Sequence, residues 1–267
     1  MTHWEISDPQ TISLDAVSAL RLRIVAGEVS VTATDGQPRL EVSAIEGAPL
    51  QVDLDDGVLT VSYDDLSWGG ILDWLSGGRR QRREVTLALA VPPACEVQLG
   101  TVSANAVVSG VTMPTSVRTV SGEITLDGLG GEISAKSVSG PVEALGLDGD
   151  LSFDTVSGDL TVAGGRCRHV TAKSVSGDVT IDVALDSGGH IDASCVSGDV
   201  VLRLPAETGA KVFCASVSGQ LTSAFAGLSA SSAPGRRKLE GAIGGGDGEI
   251  RVKTVSGDVD LLSQPSA

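Results

Sequence analysis

Aromatic residues are scarce in this sequence: phenylalanine, tryptophan and tyrosine together make up 3% of 267 residues. Histidine occurs three times, as His3, His169 and His190, at scattered positions. Enzymes that act on polysaccharides need clustered acids and bases, and they usually add aromatic platforms for the sugar rings. The shortage of these residues argues against a polysaccharide-active enzyme, and we expect no catalytic residues, no cofactor and no bound metal.

Long apolar runs are also missing. No segment approaches the ~20 apolar residues that a membrane-spanning helix needs, and the first residues lack the basic and apolar stretches of a signal peptide. Cys95, Cys167, Cys195 and Cys214 lack metal-ligand spacing. Cys195 and Cys214 occupy repeat positions that are small residues elsewhere, which is typical of buried thiols in a reducing compartment. We therefore expect a soluble, cytoplasmic protein that can lie at the inner face of the membrane.

Positive charge is in short supply as well. The chain has 19 lysines and arginines against 34 acidic residues, so its formal net charge is −15. A general nucleic-acid binder needs a basic surface, and this composition excludes that class. The basic residues are concentrated in two short clusters, Arg79, Arg80, Arg82 and Arg83, and Arg236, Arg237 and Lys238.

A repeated pentapeptide, Val-Ser-Gly followed by an acid and an aliphatic residue, is the dominant pattern. Its copies begin at Val120, Val138, Val156, Val175, Val196, Val217 and Val255. Most successive copies are 18 to 21 residues apart, and the last interval is 38 residues. We interpret the long interval as two periods with one blurred copy. A fixed period near 20 residues predicts that one supersecondary unit is stacked on itself.

The residues before each valine alternate between buried-type and polar side chains. Five positions upstream every copy from Val138 onward is aliphatic, and three upstream it is small or apolar, as in Ile133 and Ala135. This period-two pattern predicts a strand with one buried face. We therefore predict an all-β fold, a parallel β-solenoid with 18–21 residues per coil and a less regular N-terminal part.

The pentapeptide itself predicts the chemistry of a corner. Its serines would form a ladder of hydroxyl groups that bond to one another if they are buried, and its glycine would supply a conformation that a β-carbon hinders. The acids that follow, such as Asp178, are expected to be solvated turn residues. A stacked column of carboxylates could instead bind cations, but Pro141 and Gln220 interrupt the column.

The predicted organisation has four parts. Residues 1–19 are a lead-in, and residues 20–100 form an N-terminal β-region with a loop rich in tryptophan and arginine at 64–84. Residues 101–262 form the regular solenoid, with an inserted loop at 224–238, and residues 263–267 are a tail. Val25-Ala26-Gly27 is a degenerate copy of the motif.

The loop at 64–84 is the predicted partner-binding segment. It places Trp68 and Trp74 beside Arg79, Arg80, Arg82 and Arg83. Tryptophans next to a basic cluster suit a contact that is both apolar and anionic, such as an acidic protein or a membrane surface. The tryptophans could equally pack on the body and leave the arginines solvated. Arg236, Arg237 and Lys238 extend the predicted partner-binding set.

The repeats, the arginine-rich loop and the closing stretch Arg251–Val259 resemble the bacterial β-strand-repeat family labelled "putative adhesin", a domain of unknown function. The acidic composition, rich in alanine and glycine, is similar to that of its actinobacterial members. The resemblance implies a parallel β-solenoid and, in some relatives, a link to cell-envelope stress. It implies no catalytic residues.

Three functions are compatible with these observations. The first is a non-catalytic scaffold or interaction module, which binds an unknown protein or self-associates because a solenoid ends in open strand edges. The second is a peripheral protein that docks on an anionic membrane through the arginine loop. The third, disfavoured by the composition, is a polysaccharide-active β-helix enzyme.

Overall fold

The computed structural model of the chain describes residues 1–63 and 83–264. Their regular structure is β-strand throughout, and none of these residues is helical, so the prediction of an all-β fold is confirmed. In the described ranges there is accordingly no helix long and apolar enough to span a bilayer. The chain divides into two compact units, Met1–Leu129 and Gly130–Ala267.

The described residues of the first unit form twelve strands, and two of these lie within the segment expected as a lead-in. The strands are β1 (Thr2–Ile6), β2 (Gln10–Ser13), β3 (Ala19–Ile24), β4 (Ala26–Ala33), β5 (Arg39–Glu46), β6 (Leu50–Asp55), β7 (Val58–Ser62), β8 (Glu84–Val91), β9 (Glu96–Thr101), β10 (Asn105–Ser109), β11 (Thr115–Thr119) and β12 (Ile124–Asp127).

Two walls of paired strands make up the first unit. The order is β1–β6–β7–β3–β9–β11 in one wall and β2–β5–β8–β4–β10–β12 in the other. Pairing is parallel from β7 and β8 onward, and the outer strands β1, β2, β5 and β6 pair antiparallel. β3 and β4 therefore lie inside the walls, beside strands that follow much later in the sequence.

The second unit contains eleven strands in its described residues. They are β13 (Gly130–Ser137), β14 (Val142–Thr155), β15 (Leu160–Ser174), β16 (Val179–Cys195), β17 (Val200–Leu204), β18 (Ala210–Ser216), β19 (Leu221–Ser223), β20 (Leu228–Ala233), β21 (Arg236–Ile243), β22 (Gly248–Thr254) and β23 (Val259–Ser263).

These strands also form two walls. The chain passes from the first wall to the second at each Val-Ser-Gly corner, and β14, β15 and β16 return from the second wall to the first at a glycine bend. The first wall precedes the Val-Ser-Gly corner and has the order β13–β14–β15–β16–β22–β18–β21–β20. The second wall follows the corner and contains the first residues of β14, β15 and β16, then β17, β23 and β19. β14, β15 and β16 bend back to the first wall at Gly146, Gly164 and Gly188, each with a positive φ angle, a region that glycine enters without strain.

Stacked aliphatic columns fill the space between the walls, as the alternation predicted. The column five residues before the valine is buried throughout: Ile133, Leu151, Val170, Ile191, Ile250 and Val212. The next inward position is small except for the buried Phe153 and Val252. Burial of such side chains contributes about 25 cal/mol per Å² of apolar surface, and the thin core explains why so few aromatic residues are needed.

The prediction of a purely parallel sheet is wrong, because the pairing is mixed. β21 runs antiparallel to both β18 and β20. The segment 224–238, expected as an inserted loop, contains β20 and the start of β21, which form a hairpin with its turn at Pro234-Gly235.

The long interval before Val255 is likewise not a pair of stacked periods. The last copy of the motif lies between the copies at Val196 and Val217. β22 pairs in parallel with both β16 and β18, and β23 pairs with both β17 and β19.

Candidate functional site

The Val-Ser-Gly corner is held by a residue that precedes the pentapeptide. The position before the valine is a buried hydroxyl or thiol in every copy of the second unit: Ser137, Thr155, Ser174, Cys195, Ser216 and Thr254. In five of these copies its side-chain oxygen or sulfur accepts the N–H of the corner glycine three residues on, at 2.8–3.1 Å. Sequence reasoning missed this column, although the alternation of serine and threonine there was visible.

The serine of each corner bonds to the neighbouring repeat. In Ser176 both the backbone N–H and the hydroxyl donate to the Val156 carbonyl, at 2.9 and 3.2 Å. The same pair of bonds joins Ser157 to Val138 and Ser197 to Val175. A ladder of hydroxyls bonded to one another was expected only if the serines were buried. These three serines are exposed, and their hydroxyls bond to carbonyl groups instead.

The acidic column caps backbone amides. Oδ1 of Asp159 accepts the N–H of Asp178 at 2.9 Å, and Oδ1 of Asp178 accepts that of Asp199 at 2.8 Å. The series continues through Asp258 to the N–H of Gln220. In the second unit the two non-acidic positions, Pro141 and Gln220, are the first and last of the column. These carboxylates thus have a structural task, as turn residues do.

The valine of the same corner is exposed. Val138, Val156, Val175, Val196, Val217 and Val255 are each between 46% and 50% exposed. Their order along the stack is fixed by the corner hydrogen bonds, with Val255 between Val196 and Val217. The six side chains form one apolar line, which we call the valine stripe.

A second column, six residues before each valine, brings the titratable groups together. It consists of Glu132, Asp150, His169, His190, Glu249 and Lys211 in the order of the stack. The rings of His169 and His190 are stacked, with centroids 5.7 Å apart and planes inclined by 27°. His169 Nδ1 lies 3.0 Å from Asp150 Oδ2, and His190 Nε2 lies 3.8 Å from Glu249 Oε2.

His169 and His190 are scattered in the sequence, but the fold stacks them and gives each a carboxylate neighbour. Extending the alignment one position beyond the strand would have placed them in one column. Partial burial raises the pKa of Asp150, but hydrogen bonds from the His169 ring and backbone N–H, with the charges of His169 and Arg168, outweigh it and lower the pKa. The ring pair and its carboxylates lie about half exposed on the first wall.

The four cysteines are reduced and buried. Burial raises the pKa of Cys95 and of Cys167 to about 11, and that of Cys214 to about 12. A reactive thiol needs a lowered pKa and access to solvent, and these three have neither.

Only part of the predicted partner-binding set falls within the described residues. Trp68, Trp74, Arg79, Arg80 and Arg82 lie outside them. Arg83 is half-buried, and its guanidinium carbon lies 5.3 Å from the ring centre of Tyr63, which is 1% exposed. Arg83 therefore lies over a buried ring of its own chain, in the geometry of a cation–π pair.

The second basic cluster lies on the hairpin of β20 and β21. Arg236 and Arg237 are exposed and Lys238 is half-buried. Arg237 donates to the Gly219 carbonyl at 3.0 Å, and the Lys238 ammonium lies 5.8 Å from the Phe213 ring centre. Both contacts hold the cluster against the strands beside it. Arg237 and Lys238 also line a cavity of 390 Å³, together with Gln220 and Ser231.

Strand β20 is an edge of the first wall. It pairs with β21 on one side, and in the described part of the chain no strand pairs with its other side. Its six residues, Leu-Ser-Ala-Ser-Ser-Ala, carry no charge, and five of them are exposed. Natural edge strands are usually protected by charged side chains, bulges or prolines within the strand. β20 has none of these.

Comparison with protein families gives a clear result. The model of the Toastrack DUF4097 family matches residues 20–194 and 157–262, which together span most of the chain. This chain belongs to the Toastrack DUF4097 family. No curated protein matches the sequence.

Solved structures similar to this Toastrack chain share little sequence with it. One is a "putative adhesin" from Bacteroides fragilis, with 12% identity, a TM-score of 0.41 and 96% of each chain covered. Another "putative adhesin", from Parabacteroides distasonis, has 14% identity, a TM-score of 0.39 and 96% of each chain covered. A "putative lipid binding protein" from the same species has 12% identity and a TM-score of 0.37, with 96% of this chain and 97% of that chain covered.

One cavity of the second unit, of 390 Å³, is lined by Glu132, Asp148, Asp150 and His169. A cavity of 480 Å³ on β4, β8 and β10 is lined by Glu28, Glu41 and Glu123, but no histidine, cysteine, lysine or arginine lines it. Within the described ranges, no three metal-ligating side chains are grouped closely enough to hold an ion.

Proposed function

We propose that this Toastrack protein is a non-catalytic scaffold of the β-solenoid type, cytoplasmic and of the actinobacterial kind, that binds an acidic partner protein at the β20–β21 hairpin. The observation that carries the proposal is the unprotected edge of β20 beside three basic residues, on a chain with a formal net charge of −15.

Strand addition is the binding mode that suits this edge. An extended peptide that pairs with β20 gains main-chain hydrogen bonds, and its side chains then determine specificity. A strand added to β20 lies two strand spacings, about 10 Å, from β21. Arg236 is the basic residue best placed for it, because Arg237 and Lys238 contact Gly219 and Phe213 on the other side of β21. Acidic residues in the partner would therefore be favoured, and basic ones would be repelled.

The test is the binding of a labelled ten-residue peptide of alternating valine and glutamate, followed by fluorescence anisotropy. We expect binding to the wild type, at least tenfold weaker binding to an Arg236→Ser, Arg237→Ser, Lys238→Ser variant, and little change for the pair Arg21→Ser, Arg39→Ser, which belongs to the first unit. A peptide methylated on alternate backbone nitrogens should not bind, because it cannot form the ladder. Equal binding of the methylated peptide would contradict strand addition.

The second candidate is docking on an anionic membrane through the arginine loop, which the composition of residues 64–84 favours. The matched experiment is co-sedimentation with vesicles of phosphatidylglycerol, with phosphatidylcholine as control. The variant should replace Arg79, Arg80 and Arg82 with serine and retain Arg83, because Arg83 covers Tyr63 and its loss would disturb the fold. Unchanged sedimentation of this variant would exclude the loop as the docking site.

A further inference from the structure

The valine stripe contains six of the seven exposed large hydrophobic residues in the described part of the second unit. Six half-exposed valines follow one another along the stack: Val138, Val156, Val175, Val196, Val255 and Val217. Successive corners are joined by a serine N–H that donates to a valine carbonyl at 2.9–3.0 Å. The spacing is therefore that of adjacent strands, about 4.8 Å, and the stripe is about 24 Å long.

The corner itself does not require an exposed valine. The valine's neighbours bond through backbone atoms and through the serine, so a polar side chain at its position would leave the corner intact. In the first unit the equivalent valines are buried: Val25 is 6% exposed and Val102 is 8% exposed. The same corner therefore forms with its valine buried. Six solvent-facing valines in one line are thus more apolar surface than the fold needs, and such patches mark interaction sites.

The spacing of the stripe identifies its partner. A helix laid along the stripe presents its side chains every 5.4 Å, and a strand presents alternate side chains every ~6.7 Å. Neither stays in step with a 4.8 Å ladder over six rungs. A second ladder of stacked strands does. We propose that two copies of this chain associate through their valine stripes.

Charges on the two flanks of the stripe determine the orientation. On the side of the first wall lie the exposed Lys136, Lys173 and Lys253. Asp154 lies between the first two, with its carboxylate 2.8 Å from the Lys136 ammonium, so this flank keeps a net positive charge. On the side of the second wall lies the acidic column, whose members Asp159, Asp178, Asp199 and Asp258 each use one oxygen in a backbone hydrogen bond and remain exposed. A two-fold axis parallel to the stripe places the lysine flank of one copy against the acidic flank of the other. The antiparallel arrangement would place like charges together.

The contact would have to extend beyond the valines to reach the area of a standard interface. A standard interface buries about 800 Å² on each partner, which is more than a stripe one residue wide supplies. The flanking serines, lysines and aspartates add the remainder as a polar rim around an apolar centre. This proposal does not involve the β20–β21 hairpin, and the two can be tested separately.

Light scattering after size-exclusion chromatography, from 1 to 100 µM protein, tests the association. The wild type should reach twice the 27.0 kDa chain mass. Val175→Lys and Val196→Lys should raise the dissociation constant at least a hundredfold, and Val196→Thr, which keeps the side-chain shape, at least fivefold. Leu145→Lys is the matched control, because Leu145 is 40% exposed on the same unit but away from the stripe, and it should remain dimeric.

Cysteine crosslinking tests the orientation. Under mild oxidation Val156→Cys should form a disulfide with its own counterpart in the parallel arrangement. The antiparallel arrangement would instead require a mixture of Val156→Cys and Val255→Cys. The native cysteines are buried and do not compete.

A folded wild type that stays at monomer mass at 100 µM would overturn the proposal. Dimers of normal affinity in both Val196→Lys and Val196→Thr, with native circular dichroism, would also overturn it. Dissociation by Leu145→Lys would show that another surface is responsible, and crosslinking only in the mixture would overturn the parallel orientation.

Discussion

The carbonyl oxygen of Gly158 lies 2.0 Å from the point that a β-carbon on Gly177 would occupy. The same close approach recurs between Gly177 and Gly198, at 2.2 Å, and between Gly198 and Gly257, at 1.9 Å. None of these corner glycines has a positive φ angle. The corner position therefore requires glycine because its neighbour leaves no room for a β-carbon, and the conformational freedom expected from the sequence is not the reason.

Gly177→Ala should consequently be severely destabilising, by more than about 4 kcal/mol, because backbone would have to move in the middle of the stack. Gly164→Ala is the matched control. Gly164 has a φ of +71° with nothing within 4 Å of its added β-carbon, so only the local strain of about 1–2 kcal/mol applies. Urea unfolding of both variants measures the difference. Similar losses in the two would show that close approach is not decisive.

Cys195 should be replaceable by serine but not by valine. Its sulfur accepts the Gly198 N–H at 3.0 Å and donates to the Gly177 carbonyl at 3.4 Å, which is the task of serine or threonine in the other copies. Cys195→Ser keeps both bonds, and we expect the free energy of unfolding to change by less than about 0.5 kcal/mol. Cys195→Val leaves a buried N–H unpaired and should cost about 1–3 kcal/mol. Thermal melts of both variants check this, and equal stability would remove the capping role.

Protein stability should fall when an aspartate of the acidic column loses its hydrogen-bond acceptor, but not when it loses only its charge. Asp178→Asn retains Oδ1 for the Asp199 N–H and should be close to neutral, whereas Asp178→Ala should cost about 1 kcal/mol. Calcium should leave the melting temperature of the wild type unchanged. A calcium-dependent rise that Asp178→Asn abolishes would show that the column is an ion site after all.

Asp150 should make a small, pH-dependent contribution to stability. Its pKa is lower in the folded state than the ordinary value of 3.8, so the contribution is complete above that value and is lost as the pH falls through the lower folded pKa. Asp150→Asn should therefore lower stability at pH 7, by no more than about 1 kcal/mol because the group is half exposed. As the pH falls through the folded pKa of Asp150, the stabilities of the two proteins should converge.

Thermal melts at pH 7, 4.5 and 2.5 in low salt measure this dependence. Glu143→Gln serves as the control, since Glu143 is exposed and lies opposite Thr161. A stability difference for Asp150→Asn that does not shrink as the pH is lowered would mean that the amide disturbs packing, and that His169 is not the cause.

The repeat made much of the second unit predictable. Alternation alone identified the buried columns of Ile133 and Ala135, because successive side chains of a strand point to opposite faces and only one face is buried. Alignment on the valine would also have revealed the stacked His169 and His190, had it been carried one position further. These features depend only on which residues share a column.

The order of the repeats could not be predicted in the same way. The corner at Val196 presents the same edge to Val217 and to Val255, and local sequence contains nothing that distinguishes the two. The hairpin of β20 and β21 was likewise hidden, because its uncharged strand Leu228–Ala233 has the composition of a loop. What decides between the alternatives is tertiary pairing, which one sequence does not display.

The position of β22 and β23 between earlier strands has a consequence for biosynthesis. Residues 210–223 leave the ribosome before residues 248–263, yet their place in the stack is next to those later residues and not next to β16 and β17. While residues 248–263 are still being translated, the edges of β16 and β17 are open. β18 and β19 could pair with these edges in the same way as they finally pair with β22 and β23. Translation therefore passes through a stage in which the wrong neighbour is available first, and a ribosome that stops before residue 248 releases a chain whose two walls cannot be completed.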